Sequence, residues 1–386
     1  MTVSEPNLYV IDLPAGEVPS FDIDFHQSNG RVKYNSQLWL GAGYDGVWFR
    51  GQGRDVTFLK PDAANQWVDS NVFIGPHSGI VRFSKMTIGS ARTKCIHAGL
   101  ENHVLPIKKL KIEIRNCRVV TDPPKAYPPQ TGLSRVKWAL FGYQCDWDVR
   151  NTVIDNRESV EHALYAHGFA ETGVLWRNVH VVASGAEGLK VTARPGECMW
   201  VQGAKVIVQD CKIENWYQDW SWRGGGGIVC QGSGADIEVT RTYLLGSRDY
   251  NRSRCFMVDD SGLDFYGPDG QAGVGAANGH VILHQVAGIS MPGPDWYSNI
   301  ARIGTLRPDR PQPLCARSLT MTQCGFYGDK TLLNLARNAI EGAVSISDCN
   351  SPGIKNFLQS LGHNVSVQSK VSGLGGFFDL SQGFSG

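Results

Sequence analysis

The chain has no apolar run near the roughly 18 residues needed to span a membrane, which excludes a membrane helix. Its ten cysteines form no C-x-x-C pair, so neither a zinc knuckle nor a dithiol redox motif is expected. Charge is sparse, 19% of residues with a net +1, and gathers into no basic stripe, so nucleic acid is not an expected partner. No helical pattern of 10–15 residues recurs between the apolar segments, which argues against βαβ units. The first residues carry neither a charged region nor an apolar core of signal-peptide type. The expectation is synthesis in a reducing cytoplasm with free thiols.

What is abundant is glycine, 45 residues, and a repeated phrase. It runs apolar, any, apolar, any, Asn or Asp, then a small or apolar residue. It stands at Val149-Arg150-Asn151-Thr152-Val153-Ile154, Leu175-Trp176-Arg177-Asn178-Val179 and Ile207-Val208-Gln209-Asp210-Cys211, with a weaker copy at Ile237-Glu238-Val239-Thr240-Arg241-Thr242. Anchored on its fifth position, the column reads Lys85, Asn116, Asn151, Asn178, Asp210, Arg241, Gln285, Gln323 and Asp348. The copies recur about every 33 residues, the mark of a solenoid. Alternation within each copy makes it a strand with one buried face. The Asn/Asp position predicts a turn or bulge, where such a side chain bonds the backbone. Cys117, Cys211, Cys324 and Cys349 follow it and read as core filler.

A second alternating strand follows most copies. Leu140, Leu164, Leu189, Ile228 and Phe256 align as one inward column, and Gly142, Ala166, Val191, Cys230 and Val258 as the next. Two strand columns separated by Gly-rich turns predict an all-β, single-stranded, right-handed parallel β-helix. Lateral loops leave it, and a short cap and tail close it at the C-terminus. Residues 1–60 read as an N-terminal capping segment, 61–352 as the helix, and 353–386 as a cap helix followed by a Gly/Phe-rich tail. The Pro-rich stretch 121–135 and the insertions 262–280 and 291–313 read as loops, where binding usually sits.

Val47-Trp48-Phe49-Arg50-Gly51-Gln52-Gly53-Arg54-Asp55-Val56-Thr57 resembles the opening coils of the pectate-lyase-like (pectin-lyase-like) β-helix superfamily, where a G-x-G-x-x-x-T turn recurs. The resemblance covers residues 8–365 as architecture, and extends to phage-encoded members. It implies two functions. One is a virion-associated structural protein (head decoration, tail, baseplate or spike) made in the host cytoplasm and displayed on the virion surface. Its partners would be virion proteins or further copies of itself, a trimer among the candidates, together with a surface polysaccharide. The other is a lyase or glycoside hydrolase acting on an acidic polysaccharide.

The outward columns of the second strand hold the candidate chemistry. For a lyase, Lys190 or Arg194 would abstract the proton and Tyr165 or His167 would protonate the leaving oxygen. For a hydrolase, Glu161, Glu197, Asp259 and Asp260 are the available carboxylates. The clustered Asp residues that bind calcium in lyases are not evident, so no metal and no cofactor are expected. Trp216, Tyr217, Trp220 and Trp222 form the densest aromatic stretch and are candidate glycan contacts. Phe377, Phe378 and Phe384 stand between glycines in the tail and are candidates for docking on a partner chain or on the coils themselves.

Overall fold

The computed structural model describes residues 8–20, 36–40, 46–61, 69–75, 79–91, 93–99, 110–121, 138–143, 145–156, 162–168, 173–184, 189–193, 205–215, 226–231, 236–245, 254–259, 280–289, 301–303, 318–327, 333–335, 344–349 and 365–368. The cap helix 353–363, the tail 373–386 and most of the three long insertions lie outside them.

The chain divides into two units, Met1–His167 with Gly173–Gly185, and Gly168–Thr172 with Ala186–Gly386. Each is a parallel β-helix. In the first unit a straight sheet holds Ser36–Leu40, Ser70–Ile74, Lys94–Ala98, Trp138–Tyr143 and Leu164–Gly168, each paired in parallel with the next. A bent sheet holds the other segments of the same coils. Tyr9–Asp12, Gly46–Arg50, Gly79–Ser84, Leu110–Arg115, Cys145–Asp155 and Gly173–Ser184 stack in order. The second unit repeats this plan. Leu189–Ala193, Gly226–Gln231, Arg254–Asp259, Ala301–Ile303 and Leu333–Leu335 make its straight sheet. Lys205–Gln209, Asp236–Leu245, His280–Ile289, Ser318–Thr322, Val344–Ser347 and Val365–Gln368 stack in its bent sheet. Right-handed winding is the sense nearly all parallel crossovers adopt.

All nine residues of the sequence-derived column, Lys85 through Asp348, have left-handed φ between 45° and 56°. They are the corners of the bent sheet. A single left-handed residue turns the chain, so the strand before and the strand after it each pair with the next coil. The corner N–H groups stay inside the ladder: Asn116 donates to the Arg150 carbonyl at 3.0 Å and Asp210 to that of Thr240 at 3.1 Å. Asn is favoured because its short amide tolerates this conformation.

The residue after each corner is buried, and where it is Cys or Thr it has a second task. Cys117, Cys211, Cys324 and Cys349 each direct Sγ at the carbonyl two residues earlier, at 3.2–3.4 Å. Thr152 and Thr242 bring Oγ1 to the same carbonyl at 2.9 and 3.0 Å. Cys and Thr are therefore interchangeable here because each is small and carries a donor. The Cys117 thiol is unreactive by placement, since burial pushes it up to about 12.

The core is filled by inward columns such as Leu38, Val72, Ile96, Leu140 and Leu164, all fully buried, and by a stacked Phe49–Phe83 pair with centroids 5.2 Å apart. Gly142 must lack a side chain, because a Cβ there would lie 2.7 Å from Cys145 Sγ and 2.8 Å from the Trp147 ring.

One prediction follows from the corner geometry. Asn151 is exposed, so its replacement tests backbone conformation with little loss of packing. Asn151→Val should lower stability by about 1–2 kcal/mol, the cost of a left-handed β-branched residue. Asn151→Gly also loses the exposed hydrogen bond from Asn178 but avoids that conformational cost, and should be destabilised less. Urea midpoints of the two variants check the order, and equal midpoints would contradict it.

Candidate functional site

Residues on the outer face of the straight sheet alternate with the inward positions that fill the coil. In the first unit this face carries rings. The register stacks Trp39, Phe73, His97, Phe141 and Tyr165 in one column. Phe73 meets His97 edge-on at 4.9 Å, His97 meets Phe141 at 5.2 Å, and Phe141 meets Tyr165 at 5.6 Å. Tyr143 closes on Phe141 at 5.1 Å, and Trp138 lies 5.3 Å from the same ring. Phe73 and Phe141 are buried, whereas Trp138, Tyr143 and Tyr165 remain partly exposed.

An ion pair borders the rings. Lys94 Nζ donates to Asp69 Oδ2 at 2.7 Å and to Thr93 Oγ1 at 3.1 Å. The same ammonium sits 5.1 Å from the Trp138 ring and 5.3 Å from that of Phe141, within cation–π range. Asp69 is anchored by its backbone, whose carbonyl accepts from the N–H groups of Thr93 and Lys94 at 2.9 and 3.1 Å. Burial raises the pKa of Asp69, but the Lys94 charge and hydrogen bonds from Lys94 and Thr93 outweigh it and hold the carboxyl below its usual range.

His97 stands between the rings and the pair. Burial, and after it the Lys94 charge, push its pKa down to about 3, so the imidazole is neutral under ordinary conditions. Its Nε2 is buried with no hydrogen-bond partner among the described residues. No cluster of three or more His, Cys, Asp or Glu able to hold a metal occurs among the described residues.

Of the residues singled out from the sequence, Tyr165 lies in the ring column, and His167 stands on the same strand, in register with Tyr143. Lys190 is on the strand Leu189–Ala193 of the second unit, in register with Val229. The side chains of His167 and Lys190 lie outside the described set, as do Arg194, Glu161, Glu197, Asp260, Trp216, Tyr217, Trp220, Trp222, Phe377, Phe378 and Phe384. Asp259 pairs in register with Gln231.

Sequence reasoning missed Asp69, Lys94 and His97. A signal was present: Ile96-His97-Ala98 repeats the apolar, ring, small pattern of Leu140-Phe141-Gly142 and Leu164-Tyr165-Ala166. Extending the second-strand column one coil earlier would have reached it.

No protein-family model matches the chain, and no curated protein matches it in sequence. Among solved structures it is similar to the A-module of the mannuronan C-5 epimerase AlgE4 of Azotobacter vinelandii. Identity is 10% and the TM-score 0.39, over 94% of this chain and 91% of that one. The parallel β-helix is established by the strand registers independently of that likeness.

Proposed function

We propose that the chain is a polysaccharide-binding β-helix whose glycan lies along the outer face of the straight sheet in the first unit. The observation that carries this reading is the ring cluster of this face, in which Trp138, Tyr143 and Tyr165 stay partly exposed over the buried Phe73 and Phe141. Partly exposed ring faces at Trp138, Tyr143 and Tyr165 suit stacking on sugar rings, and Asp69, whose side chain is 33% exposed beside the buried Lys94, can accept from a sugar hydroxyl.

On the ring face itself, His97 is poorly suited to act as a general base. A general base works best with a pKa near the operating pH, and His97 at about 3 lies far below it. Display on a virion surface, expected from the sequence resemblance, is part of the same proposal, because a glycan-binding module without turnover suits a particle that attaches to a coated cell.

The test is retention of the protein on a panel of neutral and acidic polysaccharides, with ultraviolet absorbance followed for unsaturated products. Wild type should bind at least one glycan without product formation. Tyr165→Ala and Tyr143→Ala should each weaken that binding about threefold to tenfold, the range for losing one ring contact. Unchanged binding in both variants would overturn the site, and steady release of unsaturated product would replace binding with lyase chemistry.

A further inference from the structure

The bent sheet of the first unit carries a different array. The residue before each corner faces outward, and in three consecutive coils it is arginine followed by asparagine: Arg115-Asn116, Arg150-Asn151 and Arg177-Asn178. One coil earlier the corner residue itself is Lys85. Adjacent coils lie about 4.8 Å apart, so these cations form a file along the stack. The fold does not require them. In the second unit the position before the corner is Gln209, Thr240, His284, Thr322 and Ser347, and the corners form equally well.

The file carries excess positive charge at its surface. Glu113 and Asp148 lie beneath it and are buried. Arg115 NH2 reaches Glu113 at 3.0 Å, and Arg150 holds Asp148 at 2.6 and 2.8 Å. Arg118, past the corner, pairs with Asp155 at 2.8 Å. Lys85 and Arg177 are exposed and have no ionic partner among the described residues. Like charges one coil apart repel, and a linear polyanion laid along the axis relieves the whole file at once.

The corner amides indicate which polyanion. Asn178 Nδ2 donates to Asn151 Oδ1 at 2.9 Å, and each amide keeps further hydrogen-bonding capacity toward solvent, suited to hydroxyl groups. At the Lys85 end Trp48 is partly exposed, but its ring is occupied by Arg50 and Arg82 and its Nε1 donates to Ser84 Oγ at 2.7 Å. Along the rest of the file the outward neighbours among the described residues are Leu175, Val153 and His180, which offer no run of rings for the successive bases of a single-stranded nucleic acid. We propose that the corner file Lys85–Arg115–Arg150–Arg177 is a binding track for a linear acidic polysaccharide, separate from the ring face and independent of it.

The experiment compares wild type, Lys85→Gln/Arg177→Gln and Tyr165→Ala for binding to polygalacturonate, chondroitin sulfate, dextran and a thymidine oligonucleotide over a salt series. The double variant touches only the two cations without partners, so its melting curve should match wild type. Its affinity for the two acidic polysaccharides should fall about tenfold at low salt, with a log–log salt slope lower by about two. Tyr165→Ala should retain that salt-dependent component, which separates the track from the ring face. Wild-type failure to bind either acidic polysaccharide, unchanged affinity in the double variant, or tighter binding of the oligonucleotide would each overturn the proposal.

Discussion

Glu113→Ala is expected to lower unfolding stability by about 3–5 kcal/mol, the usual cost of removing one partner of a buried ion pair. Glu113 and Arg82 have side chains only 3% exposed and meet at 2.7 Å. The carboxylate also accepts from Lys111 at 2.8 Å and from Arg115 at 3.0 Å. Removing it leaves Arg82 buried without its closest acceptor and three cations facing one another. Glu113→Gln keeps the shape and part of the hydrogen bonding, and should cost less.

The same residue sets an acid limit. Burial raises the pKa of Glu113, but hydrogen bonds from Lys111 and Arg82 and the charges of Lys111 and Arg115 hold it below its ordinary value of 4.5. Burial also raises Asp148, and Arg150 and Lys111 outweigh it in the same way. A depressed carboxyl stabilises the folded state above its unfolded pKa. That contribution is lost as pH falls from near 4.5 through the lower folded values. Chemical denaturation at neutral pH and at pH 3 checks both statements. A Glu113→Ala midpoint equal to wild type at neutral pH would contradict the first, and a wild-type/Glu113→Ala gap that does not narrow at pH 3 would contradict the second.

Trp176→Ala should be comparably severe, about 3–5 kcal/mol for a large side chain deleted from a core. Trp176 is completely buried in the bent sheet of the first unit, with Val149 opposite it on the neighbouring coil. Its Nε1 has no hydrogen-bond partner among the described residues. Trp176→Phe should therefore cost far less, because the lost volume is offset by removal of a buried, unsatisfied N–H. Thermal or urea denaturation of both variants decides the matter; similar losses for Phe and Ala would mean that the indole nitrogen is engaged after all.

Particular residues show how far the sequence could be read. The corner column was legible although it contains Lys85, Arg241, Gln285 and Gln323 beside the expected Asn and Asp. Its flanking apolar alternation identifies it whatever side chain stands there. The inward columns were legible for the same reason, and Leu189, Ile228 and Phe256 do align in register. The donor role of Cys117 and Thr152 was not legible, since composition alone reads both as small core residues. The ring face was partly legible: Tyr165 was placed on an outward column, while Asp69, Lys94 and His97 were not.

By itself, the order of residues determined which positions face the axis and where each coil bends, because period-two alternation and the tolerance for left-handed φ are local properties. Only the tertiary structure decided which outward side chains meet. Asp69 reaches Lys94 from 25 positions away and Arg82 reaches Glu113 from 31, so a constant offset predicts neither contact. The turns between strands differ in length from coil to coil, and the backbone hydrogen bonds between stacked coils, rather than distance along the chain, bring those groups into register.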